Sequence, residues 1–134
     1  MPPSPKGLLD TSVLIALESG RQVRADQLPD EVAISPITIA ELQAGVLVAA
    51  DVETRARRLA TLEAASTIEL LPVDADVAAQ WARLRVHLVE AGRRINVNDL
   101  WIAATAAAHG LPIVTQDADF EPLEGTAGIA LIRV

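Results

Sequence analysis

The chain has 134 residues, 51% of them hydrophobic and 22% charged, with a formal net charge of −7. That length suits one domain able to bury its own core, and the hydrophobic share excludes intrinsic disorder for its body. With 2% aromatics, no cysteine and 18 acidic against 11 basic residues, the composition argues against a base-stacking platform, thiolate or disulfide chemistry, and a basic coat on duplex nucleic acid.

Residues 1–6, Met-Pro-Pro-Ser-Pro-Lys, read as a loose tail without the apolar segment of a signal peptide. Residues 7–134 read as a single domain, expected to be cytoplasmic and not to span a membrane, because no window approaches about 18 uninterrupted apolar residues. Gly7-Leu8-Leu9-Asp10 is a short buried strand ending in an acid, and Thr11-Ser12 caps a helix over 12–19 that Gly20 closes. Residues 21–31 are polar loop or a short helix. Val32-Ala33-Ile34 is a second strand, and Ser35-Pro36 starts a helix expected to run to about Ala50. In the next helix, over 51–66, Asp51/Arg55 and Glu53/Arg57 stand four apart, the pattern of a solvated face.

A third strand is expected over 68–73. A helix over 74–91 carries Trp81, Leu84 and Leu88 on one stripe. Asn96 or Asn98 caps a helix to His109, with Gly110 just beyond it. Leu111–Thr115 and Ile129–Val134 are the fourth and fifth strands. Short apolar strands separated by helices predict an α/β fold whose mainly parallel sheet is covered on both faces.

The chemistry lies in acids that stand alone in apolar sequence. Asp10 is the only charge between Gly7 and Leu17, Glu41 between Pro36 and Ala50, and Asp99 between Ile95 and Ala108; Asp117 follows the fourth strand with only Gln116 between. Carboxylates are seldom buried unless paired or bound to a cation, and no Lys or Arg lies in those three windows. Each acid alone has a plain structural use: Asp10 or Asp99 at a helix start, Glu41 half-exposed on a helix, Asp117 opening a turn with Asp119. Together they point elsewhere. Ligands of open parallel sheets bind beyond the strands' carboxyl ends, where the strand order reverses, and Asp10 and Asp117 both stand at such ends. An all-oxygen donor set favours Mg²⁺ or Mn²⁺ over zinc.

Four segments carry a resemblance. Leu8-Leu9-Asp10-Thr11-Ser12-Val13-Leu14-Ile15, Thr38-Ile39-Ala40-Glu41-Leu42, Asn98-Asp99-Leu100-Trp101-Ile102-Ala103-Ala104-Thr105-Ala106 and Thr115-Gln116-Asp117-Ala118-Asp119-Phe120 resemble, in order and spacing, the PIN-domain nucleases, and among them the VapC toxins of toxin–antitoxin pairs. The resemblance spans residues 7–134. It implies a PIN-like, five-stranded sheet in the order 3-2-1-4-5 with helices on both faces. It also implies that Asp10, Glu41, Asp99 and Asp117 form a catalytic, metal-binding cluster for Mg²⁺, with Mn²⁺ able to substitute. Thr11, Thr115 and Asp119 are then supporting residues. The resemblance implies an endoribonuclease that leaves 3′-hydroxyl and 5′-phosphate ends, a VapB-like antitoxin partner over residues 36–66, and a homodimer. Arg21, Arg24, Arg93 and Arg94 are candidate contacts for RNA phosphates. Gln116 stands where the family often has arginine.

Other chemistries are weaker. His87 and His109 read as structural. Ser12 has no partner motif for nucleophilic catalysis, and Gly7, Gly20 and Gly45 do not form a phosphate loop. An aspartyl-phosphate mechanism uses Asp-x-Asp, but Ser12 stands in the second position. A non-toxin RNA-processing nuclease, or a PIN-fold binding module without activity, are the alternatives.

Overall fold

The computed structural model describes residues 5–134. The strands are β1 (Lys6–Leu9), β2 (Glu31–Ile34), β3 (Glu69–Leu70), β4 (Ile113–Thr115) and β5 (Leu131–Arg133). The helices are α1 (Thr11–Ser19), α2 (Pro36–Leu47), α3 (Val52–Ala65), α4 (Ala75–Glu90) and α5 (Val97–His109). All strand pairs are parallel, in the order β3-β2-β1-β4-β5. The direction of winding reverses between β1 and β4, which opens a crevice at their carboxyl ends.

Successive residues on a strand face opposite sides of the sheet, and here both sides are buried. Leu8, Ala33 and Ile113 pack into a core with Val77, Leu84 and Leu88 of α4 and Leu100, Ile102 and Ala103 of α5. Their neighbours Leu9, Ile34 and Val114 pack into a second core with Val13 and Leu14 of α1, Leu42 of α2 and Ala65 of α3. Unbroken apolar strands are therefore what this sheet requires. Among the described residues, no helix is long and apolar enough to cross a membrane.

Strand lengths differ from the sequence expectation where proline or a competing turn removes a donor. The third strand, expected over 68–73, pairs only at Glu69–Leu70, and Leu71 N adds one bond to Ile34 O at 2.9 Å before Pro72 ends it. The fourth begins at Ile113 rather than Leu111, because Leu111 N closes α5 onto Ala106 O and Pro112 has no N–H. The fifth begins at Leu131 rather than Ile129, whose N–H turns back to Thr126 O. The expected tail over residues 1–6 falls on 1–4 outside the described residues; Lys6 is already in β1, and Pro5 O accepts from Glu31 N at 2.9 Å.

The helix ends are set by side-chain caps. Ser35, Asp51, Asp74 and Asn96 each accept a backbone N–H from the helix they precede. Asp51 is thus a cap rather than half of an Asp51/Arg55 pair: it takes Thr54 N at 2.7 Å and Thr54 Oγ1 at 3.0 Å, which hold its carboxyl below the ordinary range. Arg55 and Arg58 donate instead to Ala49 O and Gly45 O, tying α3 to the end of α2. Helix α2 stops at Leu47, short of Ala50, where the chain turns into that cap.

Gly7 lies where β1 is crossed most closely by its surroundings. A Cβ there would meet Val114 Cγ2 at 2.8 Å and Pro29 Cγ at 2.9 Å. Gly7→Ala is expected to lower stability by about 1–3 kcal/mol through overpacking, read as a fall in the urea midpoint at unchanged slope; an unchanged midpoint would refute the close approach.

Candidate active site

Each of the four isolated acids is carried by a different element. Asp10 leaves β1 and stands at the N-cap position of α1, but its carboxylate makes no capping hydrogen bond. It is instead held from the side: Oδ2 accepts from Ser12 Oγ at 2.6 Å and Thr115 Oγ1 at 3.0 Å. Glu41 lies in the second turn of α2, and its Oε1 accepts from Thr11 Oγ1 at 2.8 Å. Thr11 Oγ1 also stands 3.0 Å from the buried Thr38 hydroxyl, so α1 and α2 are locked together at this point. Asp99 sits in the first turn of α5, presented by the Asn96 cap. Asp117 follows β4, its backbone N–H donating to Thr115 Oγ1 at 3.0 Å.

These elements meet at the sheet's reversal point. Asp10, Glu41, Asp99, Asp117 and Asp119 line one cleft of about 350 Å³, with Arg21 as the basic residue on its wall. Asp10 is 3% exposed, Glu41, Asp99 and Asp117 are half-buried, and Asp119 is exposed. Burial and mutual repulsion show in their acidity. Asp99 is pushed up to about 7, first by burial and then by the charges of Asp10, Asp119, Glu41 and Asp117. Asp10 is raised by burial, against the hydrogen bonds from Ser12 and Thr115. Asp117 is raised by burial and by Asp10 and Asp119, against the nearby Arg21 guanidinium.

The donor set is oxygen throughout, five carboxylates and no imidazole or thiolate, which suits a hard divalent cation. Among the described residues, no three acids are drawn together at the spacing of a closed ligand set.

The supporting residues are only partly those singled out in the sequence. Thr11 and Thr115 do hold carboxylates, whereas Asp119 lies on the cleft wall as a further acid. Ser12, which has no partner as a nucleophile, is a second anchor of Asp10 and also accepts from Gln116 N at 3.1 Å. Its signal was present as a hydroxyl two residues after the acid. Thr38 heads the Glu41 segment, three residues before the acid, with no role assigned to it from the sequence. Gln116 turns away from the cleft, its Nε2 donating to Gln22 O at 2.9 Å. Of the candidate phosphate contacts, Arg21 lines the cleft, Arg93 and Arg94 line a neighbouring groove, and Arg24 lines neither. Both histidines lie elsewhere: His87 Nε2 is 3.2 Å from Thr126 Oγ1, and His109 ends α5.

Known proteins share this chain's sequence and fold. The PIN domain family profile matches residues 7–125. Ribonuclease VapC5 of Mycobacterium tuberculosis is 58% identical over 128 residues, covering 96% of this chain and 95% of that protein. Ribonuclease VapC4 of the same species is 44% identical over 115 residues, covering 86% and 88%. The crystal structure of VapBC-5, a member of the VapBC family of toxin–antitoxin systems from M. tuberculosis, aligns with a TM-score of 0.91 at 54% identity, covering 97% of this chain and 99% of that one. Sequence and fold agree across the domain, and the chain belongs to the PIN-domain family, on its VapC branch.

Proposed function

We propose that this chain is a divalent-metal-dependent endoribonuclease and the toxin of a toxin–antitoxin pair. The observation that carries this is the cleft itself: five carboxylates around one arginine, with Asp99 held to about 7 by burial and its acidic neighbours. Such a site is unfavourable alone and is relieved by a cation. The similarity to Ribonuclease VapC5 supplies the substrate class.

Asp10, Glu41, Asp99 and Asp117 would hold Mg²⁺, with Mn²⁺ a fitting substitute. The ion would supply Lewis acidity, making water a better nucleophile and offsetting charge on the phosphate. The rest is the work of the chain. Ser12 and Thr115 fix Asp10, and Thr11 fixes Glu41, so that two ligands arrive with their rotamers set. Arg21 meets a phosphate that would otherwise be repelled by the acids. Neither histidine reaches the cleft, so attack by the ribose 2′-hydroxyl has no imidazole there to drive it. Water attack on phosphorus with departure of the 3′-oxygen leaves a 3′-hydroxyl and a 5′-phosphate.

The partner is a small VapB-like antitoxin, in keeping with the toxin–antitoxin complex to which the chain is similar. Leu47, Val48 and Val52, 80%, 74% and 82% exposed at the α2–α3 turn, are apolar surface for it to cover. The functional toxin is a homodimer in this reading, acting in the cytoplasm. The deciding experiment is purified protein with total RNA, with Mg²⁺ and with EDTA, followed by end mapping. Cleavage in Mg²⁺ to 5′-phosphate ends, abolished by EDTA, is the expected result; cleavage unaffected by EDTA, or 2′,3′-cyclic ends, would overturn the mechanism.

A further inference from the structure

A second concave surface lies beside the acidic cleft. It is a groove of about 810 Å³ between the end of α4 and the start of α5. Trp81, Leu88 and Val97 contribute to its apolar wall and Arg85, Arg93 and Arg94 to its charge, and no acidic residue lines it. A depression of about 430 Å³ joins the two, sharing Arg93 and Arg94 with the groove and Asp99 and Asp119 with the cleft. The surface is thus continuous from the carboxylates to the arginines.

Several features leave this groove without an internal purpose. In a chain with 18 acidic residues against 11 basic ones, three guanidinium groups converge here. None of them enters an ion pair or a side-chain hydrogen bond among the described residues, whose ion pairs are Lys6–Glu69 and Arg133 with Glu121 and Glu124. Val97 is 57% exposed, an uncovered apolar side chain on the first residue of α5. Trp81 is stacked on Trp101, with ring centroids 5.2 Å apart and planes at 24°, and is thereby held rigid. Its indole Nε1–H is buried without an acceptor among the described residues, a condition native proteins rarely leave unexplained.

Resting on the ribonuclease reading above, we infer that this groove is a specificity subsite for the RNA nucleotides adjoining the cleaved bond. The phosphates lie on Arg93 and Arg94, and a base lies against the apolar wall at Trp81 and Val97. The occupant follows from charge and continuity. A polyanion that crosses an acidic cleft must be held on both sides of it, and arginine is the side chain suited to phosphate. Arg21 stands on the cleft wall itself, and Arg93 and Arg94 supply the hold where the surface leaves it. An apolar wall beside phosphate-binding arginines suits single-stranded RNA, whose unpaired bases can lie against one or two side chains without an aromatic platform.

The test uses the full chain with Asp10→Asn, which keeps RNA uncleaved, and labelled decaribonucleotides of oligo(A), oligo(C), oligo(G) and oligo(U) in Mg²⁺. The inference expects unequal affinities among the four probes. Adding Arg93→Ala and Arg94→Ala should weaken all four by about tenfold and flatten the salt dependence by about 0.7 in log–log slope for each phosphate no longer neutralised. Val97→Asp should instead level the differences among bases. All three positions are exposed, so these variants should fold, which circular dichroism checks. Unchanged affinity and slope in the arginine variant would overturn the inference while leaving the ribonuclease reading intact. So would variants that alter only self-association or antitoxin binding, the groove then being a protein interface. Failure of the unmodified protein to cut RNA in Mg²⁺ removes the ribonuclease reading, and the inference with it.

Discussion

Asp99→Asn is expected to abolish RNA cleavage and, in the same protein, to raise the melting temperature of the metal-free form. The two effects have one cause. Asp99 is half-buried among like charges, and its carboxyl is pushed up to about 7 by burial and by Asp10, Asp119, Glu41 and Asp117. Asparagine keeps the shape and removes the repulsion, so the apo-protein gains about 1 kcal/mol after allowance for solvent screening. In the proposed mechanism the same change removes an anionic ligand. Loss of even an outer partner of a metal ligand costs about 10–100-fold, so loss of a ligand should exceed about 100-fold. Asp10→Asn should cost activity as severely. The checks are initial rates on a labelled RNA and thermal melts in EDTA. Wild-type rates in either variant would sink the metal cluster, and a destabilised Asp99→Asn apo-protein would show that Asp99 has a structural partner instead.

The second large effect concerns pH and metal together. In the folded protein Asp99 keeps its proton to about pH 7, whereas an unfolded aspartate loses it near pH 3.9. Between those values the native state binds more protons than the unfolded state, so the stability of the metal-free protein falls as pH rises. With Asp10 and Asp117 also raised, the fall has the same sign for all three. For Asp99 alone it amounts to about 1–2 kcal/mol once screening by solvent is allowed for. Mg²⁺ is expected to reverse the trend, because on the proposed reading it would bind the deprotonated carboxylates of the folded chain alone. Saturating Mg²⁺ should therefore raise the melting temperature more at pH 8 than at pH 5.5. Urea unfolding across this range, with and without Mg²⁺, measures both. An apo-protein growing more stable from pH 4 to pH 7, or a Mg²⁺ effect independent of pH, would contradict a repulsive carboxylate cluster.

Much of this fold is legible along the chain because its determinants are local. Leu8-Leu9, Ala33-Ile34 and Ile113-Val114 are consecutive apolar pairs, and consecutive burial is what a sheet covered on both faces demands. Ser35-Pro36 and Asn96 mark helix starts, and Gly20 and Gly110, at φ of 74° and 63°, close α1 and α5 in the left-handed region. The places where expectation and structure part are equally local, at Pro72 and Pro112, where a missing N–H shortens a strand. The charge pairs four residues apart were a weaker guide. Such pairs gain only about 0.2–0.5 kcal/mol each, so Asp51 serves the α3 cap and Arg55 a backbone carbonyl instead.

The sequence by itself determined the fold class, the elements and the four acids, since a carboxylate alone in apolar sequence is conspicuous for what it lacks. Only the tertiary structure decided how those acids are held and what lies beside them. Ser12 and Thr115 are 103 residues apart yet both reach Asp10 Oδ2, and Thr38 reaches Thr11 across 27. Arg93 and Arg94 come to line one depression with Asp99 and Asp119 only because α5 leads Asp99 back to the sheet. Hydroxyls and arginines are common on any surface, and their residue type carries no signal of position. The roles of Ser12 and Thr115 arise from parallel pairing of β1 with β4, which sets the ends of two distant segments side by side. A one-dimensional pattern holds periodicity and isolation; it does not hold which neighbours a crossover will bring within about 3 Å of one another.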